Sequence, residues 1–195
     1  LIVSVLVFSA IGFSQCPVGY TQAQLNWDHI DFLPSNNVRY SSFYPSAAFP
    51  YNQHFTIGTR TVNFAMAPAT NITLNGENGL STGHTGSFST AGDDVQFTTT
   101  STANTTVTST FDADVANVRF SIFDLDWNQR VNITATNTLG VAQNITIVRA
   151  SGSSGITIAG SGTTSVTATA PTINYGVNDP QGAINVTVAG PVKQI

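Results

Sequence analysis

The segment FDLDWNQR, residues 123–130, concentrates charged and aromatic side chains in a chain whose charged fraction is only 8%. Asp124 and Asp126 are two residues apart, so on an extended strand both carboxylates would leave the same face. Together with the amide oxygen of Asn128, they offer the hard oxygen ligands that Ca²⁺ prefers. The spacing therefore predicts a candidate structural calcium site at Asp124, Asp126 and Asn128.

The same segment can also close a turn without any ion. Asp and Asn favour turns, and Arg130 is the nearest cation, so a carboxylate–guanidinium pair would neutralise one of the two aspartates. The sequence contains no D-x-[DN]-x-[DN]-G run, which is the pattern of an EF-hand calcium loop. We expect this simpler arrangement, in which Asp126 faces the turn and Arg130 pairs with a carboxylate. If an ion does bind there, we expect it to be Ca²⁺ in a stabilising role.

Aromatic side chains form a second candidate site. They crowd into residues 38–55, where Pro45 and Pro50 disfavour a central strand, so a long ordered loop or an edge element is predicted. Exposed rings can stack on sugars or anchor a protein partner, whereas buried rings would fill the core. Both outcomes are open for Trp127, which follows a predicted strand. The candidate ligand-contact residues are Tyr40, Phe43, Tyr44, Tyr51 and Trp127.

Catalytic and nucleic-acid-binding patterns are missing from the sequence. No G-x-S-x-G elbow accompanies its three histidines, and the spacing of Glu77 and the Asp residues favours no pair of carboxylates across a cleft. The net charge is −4 and the six Lys and Arg are spread singly, so there is no basic stripe for phosphates. We expect a protein that is not an enzyme and does not bind nucleic acid.

The first fifteen residues, LIVSVLVFSAIGFSQ, form an uncharged apolar run that ends in small residues. Such a run is typical of a secretory signal peptide, and it is shorter than the ~20 apolar residues that span a bilayer. We therefore interpret residues 1–15 as a signal remnant and expect a secreted chain with no membrane span in its mature part. Residues 16–195 are predicted to form a single module, truncated at its C-terminus because the sequence stops on a strand-like rhythm.

Alternation of apolar and polar residues dominates the mature part. Val118, Phe120 and Ile122, for example, fall on one face of a predicted strand. Turn signals such as Asn75-Gly76 and Leu139-Gly140 separate the strands. Closely spaced strands without a convincing helix predict an all-β fold, an antiparallel β-sandwich of jelly-roll type. The other predicted strands are 60–66, 95–99, 106–111, 131–136, 144–149, 155–159, 165–170 and 184–189.

The opening NWDHIDFLPSN, the segment FSIFDLDWNQRVNITATN and the late strand VAGPVKQI carry a resemblance to a known class. Together they resemble the N-terminal β-sandwich module of large secreted or cell-surface, adhesin-like proteins of Bacteroidota. This resemblance implies a non-enzymatic binding, adhesion or structural module whose partner is an extracellular glycan or a surface protein. The alternative is a carbohydrate-binding module attached to a downstream secreted enzyme.

Overall fold

The computed structural model describes residues 21–23, 52–68, 72–77, 95–99, 104–175 and 179–195. Within these ranges the regular elements are β-strands and one short 3-10 helix at Pro180–Gly182, so the predicted all-β class is confirmed. No helix in the described part is long and apolar enough to cross a membrane. The strands are β1 (Asn52–Ile57), β2 (Arg60–Ala67), β3 (Ile72–Glu77), β4 (Val95–Thr99), β5 (Thr106–Val115), β6 (Val118–Ile122), β7 (Arg130–Thr134), β8 (Ile145–Arg149), β9 (Thr157–Ala159), β10 (Ser165–Thr169), β11 (Ile184–Val188) and β12 (Val192–Gln194).

The described strands pair antiparallel throughout. Their orders are β1-β2-β5-β12, β7-β10-β9, β6-β11-β8 and β3-β4. Isolated bridges connect neighbouring sheets, because Thr136 pairs with Gln194 of β12 and Ile145 of β8 pairs with Thr163. The loops around residues 136 and 163 therefore tie separate strand groups together.

One apolar core is shared by three of these sheets. It includes Val62 of β2, Phe111 of β5, Val166 of β10 and Ile184 of β11, each no more than 9% exposed. Complete burial of a side chain of this kind contributes about 1.5–3 kcal/mol to folding. The shared core thus stabilises the sheets jointly and provides a firm base for the loops at their ends.

The predicted period-two pattern of β6 is confirmed. Val118, Phe120 and Ile122 pack against the core, whereas Arg119 between them is exposed. On β11, which pairs with β6, Val186 is opposite Phe120 and is fully buried. The end of β6 is therefore held rigidly, and the FDLDWNQR segment begins from that end.

Two features predicted for the chain before β5 can be compared with the structure. The turn expected at Asn75-Gly76 is wrong, because both residues lie inside β3, where the register with β4 shifts between Leu74 and Gly76. A Gly in a strand often marks such a bulge. Residues 52–55 belong to β1, which is an edge strand among the described strands, in agreement with the predicted edge element. Tyr40, Phe43, Tyr44 and Tyr51 lie outside the described residues, as does the stretch 1–15.

Candidate functional site

The segment after β6 leaves the extended conformation at once. Asp124 has φ 55°, so the chain bends between Ile122 and Asp126 and the two carboxylates do not share a strand face. Asp124 is half-buried, and Asp126 is buried with 8% of its surface exposed. The predicted parallel display of the two aspartates is therefore wrong, since it assumed that the strand continues through residue 126.

Residues 126–129 form a tight turn, in keeping with the closing turn expected from the sequence. The backbone N–H of Gln129 donates to the carbonyl oxygen of Asp126 at 2.7 Å. The central residues, Trp127 and Asn128, have φ 48° and 63°. Positive φ at both central positions defines a type I′ turn.

Trp127 occupies a backbone conformation that suits it poorly. Asn tolerates the left-handed region, but a bulky side chain there is uncommon and costs about 1–2 kcal/mol. The indole does not recover that free energy by burial, because Trp127 is 61% exposed. A strained, exposed aromatic residue is a recognised mark of a functional position.

Hydrogen bonds from the segment after β10 hold this turn in place. Trp127 N donates to Ile173 O at 3.1 Å and Asn128 N donates to Pro171 O at 3.0 Å. The backbone on the other side is fixed as well, because Ala170 N donates to Gln129 O at 2.9 Å. The backbone of the turn is therefore fixed by hydrogen bonds on both sides of Trp127.

The 3-10 helix secures the residue before the turn. Leu125 N donates to Gly182 O at 3.0 Å, and the Leu125 side chain is buried. A Cβ added at Gly182 would lie 2.9 Å from Leu125 O and 3.0 Å from Leu125 N. Only glycine allows the two backbones to approach this closely.

Two polar side chains are neighbours of Trp127 along the turn and along the segment paired with it. Thr172 Oγ1 donates to Asn128 Oδ1 at 3.0 Å, and both side chains are exposed. Ile173, bonded to Trp127 through its carbonyl, is 52% exposed. We call the group formed by Trp127, Asn128, Thr172 and Ile173 the Trp127 surface. It combines an aromatic face with amide and hydroxyl groups.

Asp126 lies directly before the Trp127 surface and is directed inward. The side-chain amide nitrogen of Asn174 faces Asp126. It donates to Asp126 Oδ2 at 2.8 Å and to Tyr175 O at 3.2 Å. Burial raises the pKa of the Asp126 carboxyl, and a hydrogen bond from the Tyr175 backbone N–H opposes that rise. Asp126 therefore links the turn to residues 174–175 as a buried, hydrogen-bonded acid.

Arg130 does not form the expected pair with an aspartate. Its Nε donates to Asn132 Oδ1 at 3.2 Å, along the same face of β7. An ion pair in the described part joins Arg60 to Asp112 at 4.0 Å on a different sheet, with both side chains nearly half exposed. An exposed pair of that kind contributes little to stability. Hydrogen bonds, not an Asp–Arg pair, close the turn.

The candidate calcium ligands have other contacts. Asn128 Oδ1 accepts the Thr172 hydroxyl, and Asp126 Oδ2 accepts the Asn174 amide. Among the described residues, no three His, Cys, Asp or Glu side chains are grouped so that they could hold a metal ion. Calcium at Asp124, Asp126 and Asn128 stays a prediction, and it would require these contacts to rearrange.

Sequence reasoning identified Trp127 and Asn128 but missed Thr172 and Ile173. The short PTIN run after β10 carries no motif, and only tertiary pairing brings it beside the turn. No family model, curated protein or solved structure matches the chain.

Proposed function

We propose that the chain is a non-enzymatic binding or adhesion module of a secreted, cell-surface protein. The observation that carries this proposal is Trp127, an indole 61% exposed on a type I′ turn with φ 48°. Aromatic side chains that are exposed and rigidly held are typical anchors of recognition surfaces. The apolar run at residues 1–15 supports export, and the adhesin-like resemblance supports display on the cell surface.

We also propose the finer architecture of an antiparallel β-sandwich of jelly-roll type. Its support is the core shared between the β2–β5, β7–β10 and β6–β11 strand pairs. Two facing layers would bury those residues while leaving the loops, including the Trp127 turn, at the ends of the strands. Inner faces about 10 Å apart would agree with two layers.

Surface display and binding can be tested on the full gene product in its source cells. Protease added to intact cells should remove the module, and an antibody against it should label unpermeabilised cells. Purified protein should bind to the outer surface or matrix of those cells, and Trp127→Ala should reduce that binding. Retention inside the cell, or binding that does not depend on Trp127, would contradict the proposal.

A second candidate is a carbohydrate-binding module joined to a downstream secreted enzyme. The Trp127 surface favours it to the extent that a single ring flanked by an amide and a hydroxyl suits a sugar. Sequencing the gene beyond residue 195 separates the two candidates, since adhesive repeats support the first and a glycosidase domain the second. Hydrolysis by the isolated chain, abolished by one carboxylate substitution, would contradict both.

A further inference from the structure

We propose that the Trp127 surface binds a neutral glycan, with one sugar ring stacked on the indole of Trp127 and its hydroxyl groups bonded to Asn128 and Thr172. This inference rests on the proposed binding function and names the ligand class of that site. Three properties of the surface carry it, namely the fixed backbone of the turn, the chemistry of its polar groups and the absence of a charged side chain among its four residues.

The backbone of the Trp127 surface is rigid, and a preformed surface loses little conformational entropy when a ligand binds. Backbone hydrogen bonds to Ile173 and Pro171 hold the N–H groups of Trp127 and Asn128 at 3.1 and 3.0 Å. The φ of 48° at Trp127 is an unfavourable choice for the fold alone, since Asn or Gly suits this turn position better. We attribute the presence of Trp at this position to contacts between its exposed ring and a ligand.

The polar neighbours provide the donor and acceptor types that sugar hydroxyls require. Thr172 donates its hydroxyl hydrogen to Asn128 Oδ1 at 3.0 Å, which orients the Asn128 amide. The amide nitrogen carries two N–H donors, and the Thr172 oxygen has acceptor capacity. A sugar hydroxyl is both donor and acceptor, so it can bond with either group beside the ring.

The charges near the surface favour a neutral ligand over an anionic one. Asp126, the carboxylate adjacent to Trp127, is only 8% exposed and faces Asn174 and the Tyr175 backbone. The Nε of Arg130, the nearest cation in sequence, is directed at Asn132. Among these residues, no cation is directed at the ring. The acidic group of an anionic sugar would therefore gain no favourable electrostatic interaction with them.

A protein partner fits the surface less well. A specific protein interface buries ~800 Å² on each side around a largely apolar centre. Here the exposed apolar side chains are Trp127 and Ile173, and polar groups adjoin them. The size of one ring and its polar border match a single sugar unit better than a protein anchor pocket.

The test uses the purified chain against an array of neutral polysaccharides (cellulose, xylan, mixed-linkage β-glucan, mannan) and anionic ones (alginate, pectin, sialylated glycans). Positive hits are titrated by isothermal calorimetry and by intrinsic Trp fluorescence. We expect binding to one or more neutral glycans, weakened about 10-fold or more by Trp127→Asn, as for a central anchor residue. The same variant should melt about 2–4 °C higher, because Asn relieves the left-handed strain.

Leu139→Asn is the matched control, because Leu139 is 84% exposed in another turn. It removes an exposed apolar side chain elsewhere and should leave glycan affinity unchanged. Binding confined to anionic glycans, or neutral-glycan binding that survives Trp127→Asn, would overturn the inference.

The outcomes also separate this inference from the proposed function. If no glycan binds but attachment to cells still depends on Trp127, the glycan assignment fails and the binding function stands. If neither glycan nor cell-surface binding depends on Trp127, both fail together. A misfolded Trp127→Asn protein would show a lower melting temperature, and Asn128→Ala with Thr172→Ala then supplies the test through the polar contacts.

Discussion

The backbone N–H of Trp127 donates to the carbonyl oxygen of Ile173 at 3.1 Å, and both side chains are more than half exposed. Two segments far apart in sequence thus meet through the main chain and direct two apolar side chains to solvent. The hydrogen bond holds the unfavourable φ of Trp127, because the N–H would lose its partner if the turn relaxed. The backbone of the Trp127 surface therefore depends on this pairing.

Replacing Gly182 with Ala should weaken the close backbone contact between Gly182 and Leu125, which lies two residues before Trp127. The added Cβ would lie 2.9 Å from Leu125 O, and because this neighbour is backbone it cannot rotate away. We expect a loss of about 1–3 kcal/mol in the free energy of unfolding, measured by urea denaturation. Gly190→Ala is the control, since its Cβ would meet the flexible end of Gln143. Equal stability of the two variants would contradict the close approach at Gly182.

Asp126 should make the stability of the fold depend on pH in an unusual direction. Burial raises its folded pKa above the ordinary value of an Asp carboxyl, which is about 3.9. The folded form then holds the proton more tightly than the unfolded form. The stabilising contribution is complete below pH ~3.9 and is lost as pH rises through the higher folded pKa.

Asp126→Asn removes this titration while keeping the shape of the side chain. The difference in melting temperature, wild type minus variant, should be largest near pH ~3.5 and should fall as pH rises, then become constant. Other carboxylates are common to both proteins, so they cancel in the difference. A difference that does not change with pH, or that grows as pH rises, would contradict the buried acid.

The sequence predicts the strands well and the site only in part. The apolar residues of β6, Val118, Phe120 and Ile122, alternate with polar residues and pack on the core as expected. This pattern can be predicted because side chains alternate between the two faces of any extended strand, whatever its tertiary contacts. The partner of Arg130 was predicted wrongly, since positive φ at Asp124, Trp127 and Asn128 redirects the side chains of this segment. Such backbone angles follow from tertiary pairing, which the local sequence does not encode.

Ser161 should protect the outer edge of β8. Its Oγ accepts the N–H of Ile147 at 3.0 Å and donates to the carbonyl oxygen of Ile147 at 2.9 Å. One side chain thus satisfies both edge groups of a residue whose side chain lies in the core. Edge strands with open N–H and C=O groups invite pairing with other chains.

Ser161→Ala should lower the free energy of unfolding by about 1 kcal/mol and increase light scattering on mild heating. Thr164→Ala, which removes a hydroxyl at an exposed position in the same loop, is the control and should resemble wild type. A Ser161→Ala protein that is as stable and as soluble as the control would show that the β8 edge needs no such cap.

Calcium should have little effect on this fold. An ion that binds only the folded form raises the melting temperature by mass action, so a real site at Asp124, Asp126 and Asn128 would be visible in about 1 mM Ca²⁺ against EDTA. We expect no change in the melting temperature, because the candidate ligand atoms already accept hydrogen bonds. Asn128 Oδ1 accepts one from the Thr172 hydroxyl, and Asp126 Oδ2 accepts one from the Asn174 amide. Asp126 is also buried, and burial raises the pKa of its carboxyl. An ion would have to displace these donors from the oxygen atoms of Asn128 and Asp126. A calcium-dependent rise in melting temperature that disappears in Asp124→Asn would instead establish the metal site and would require the turn to rearrange around it.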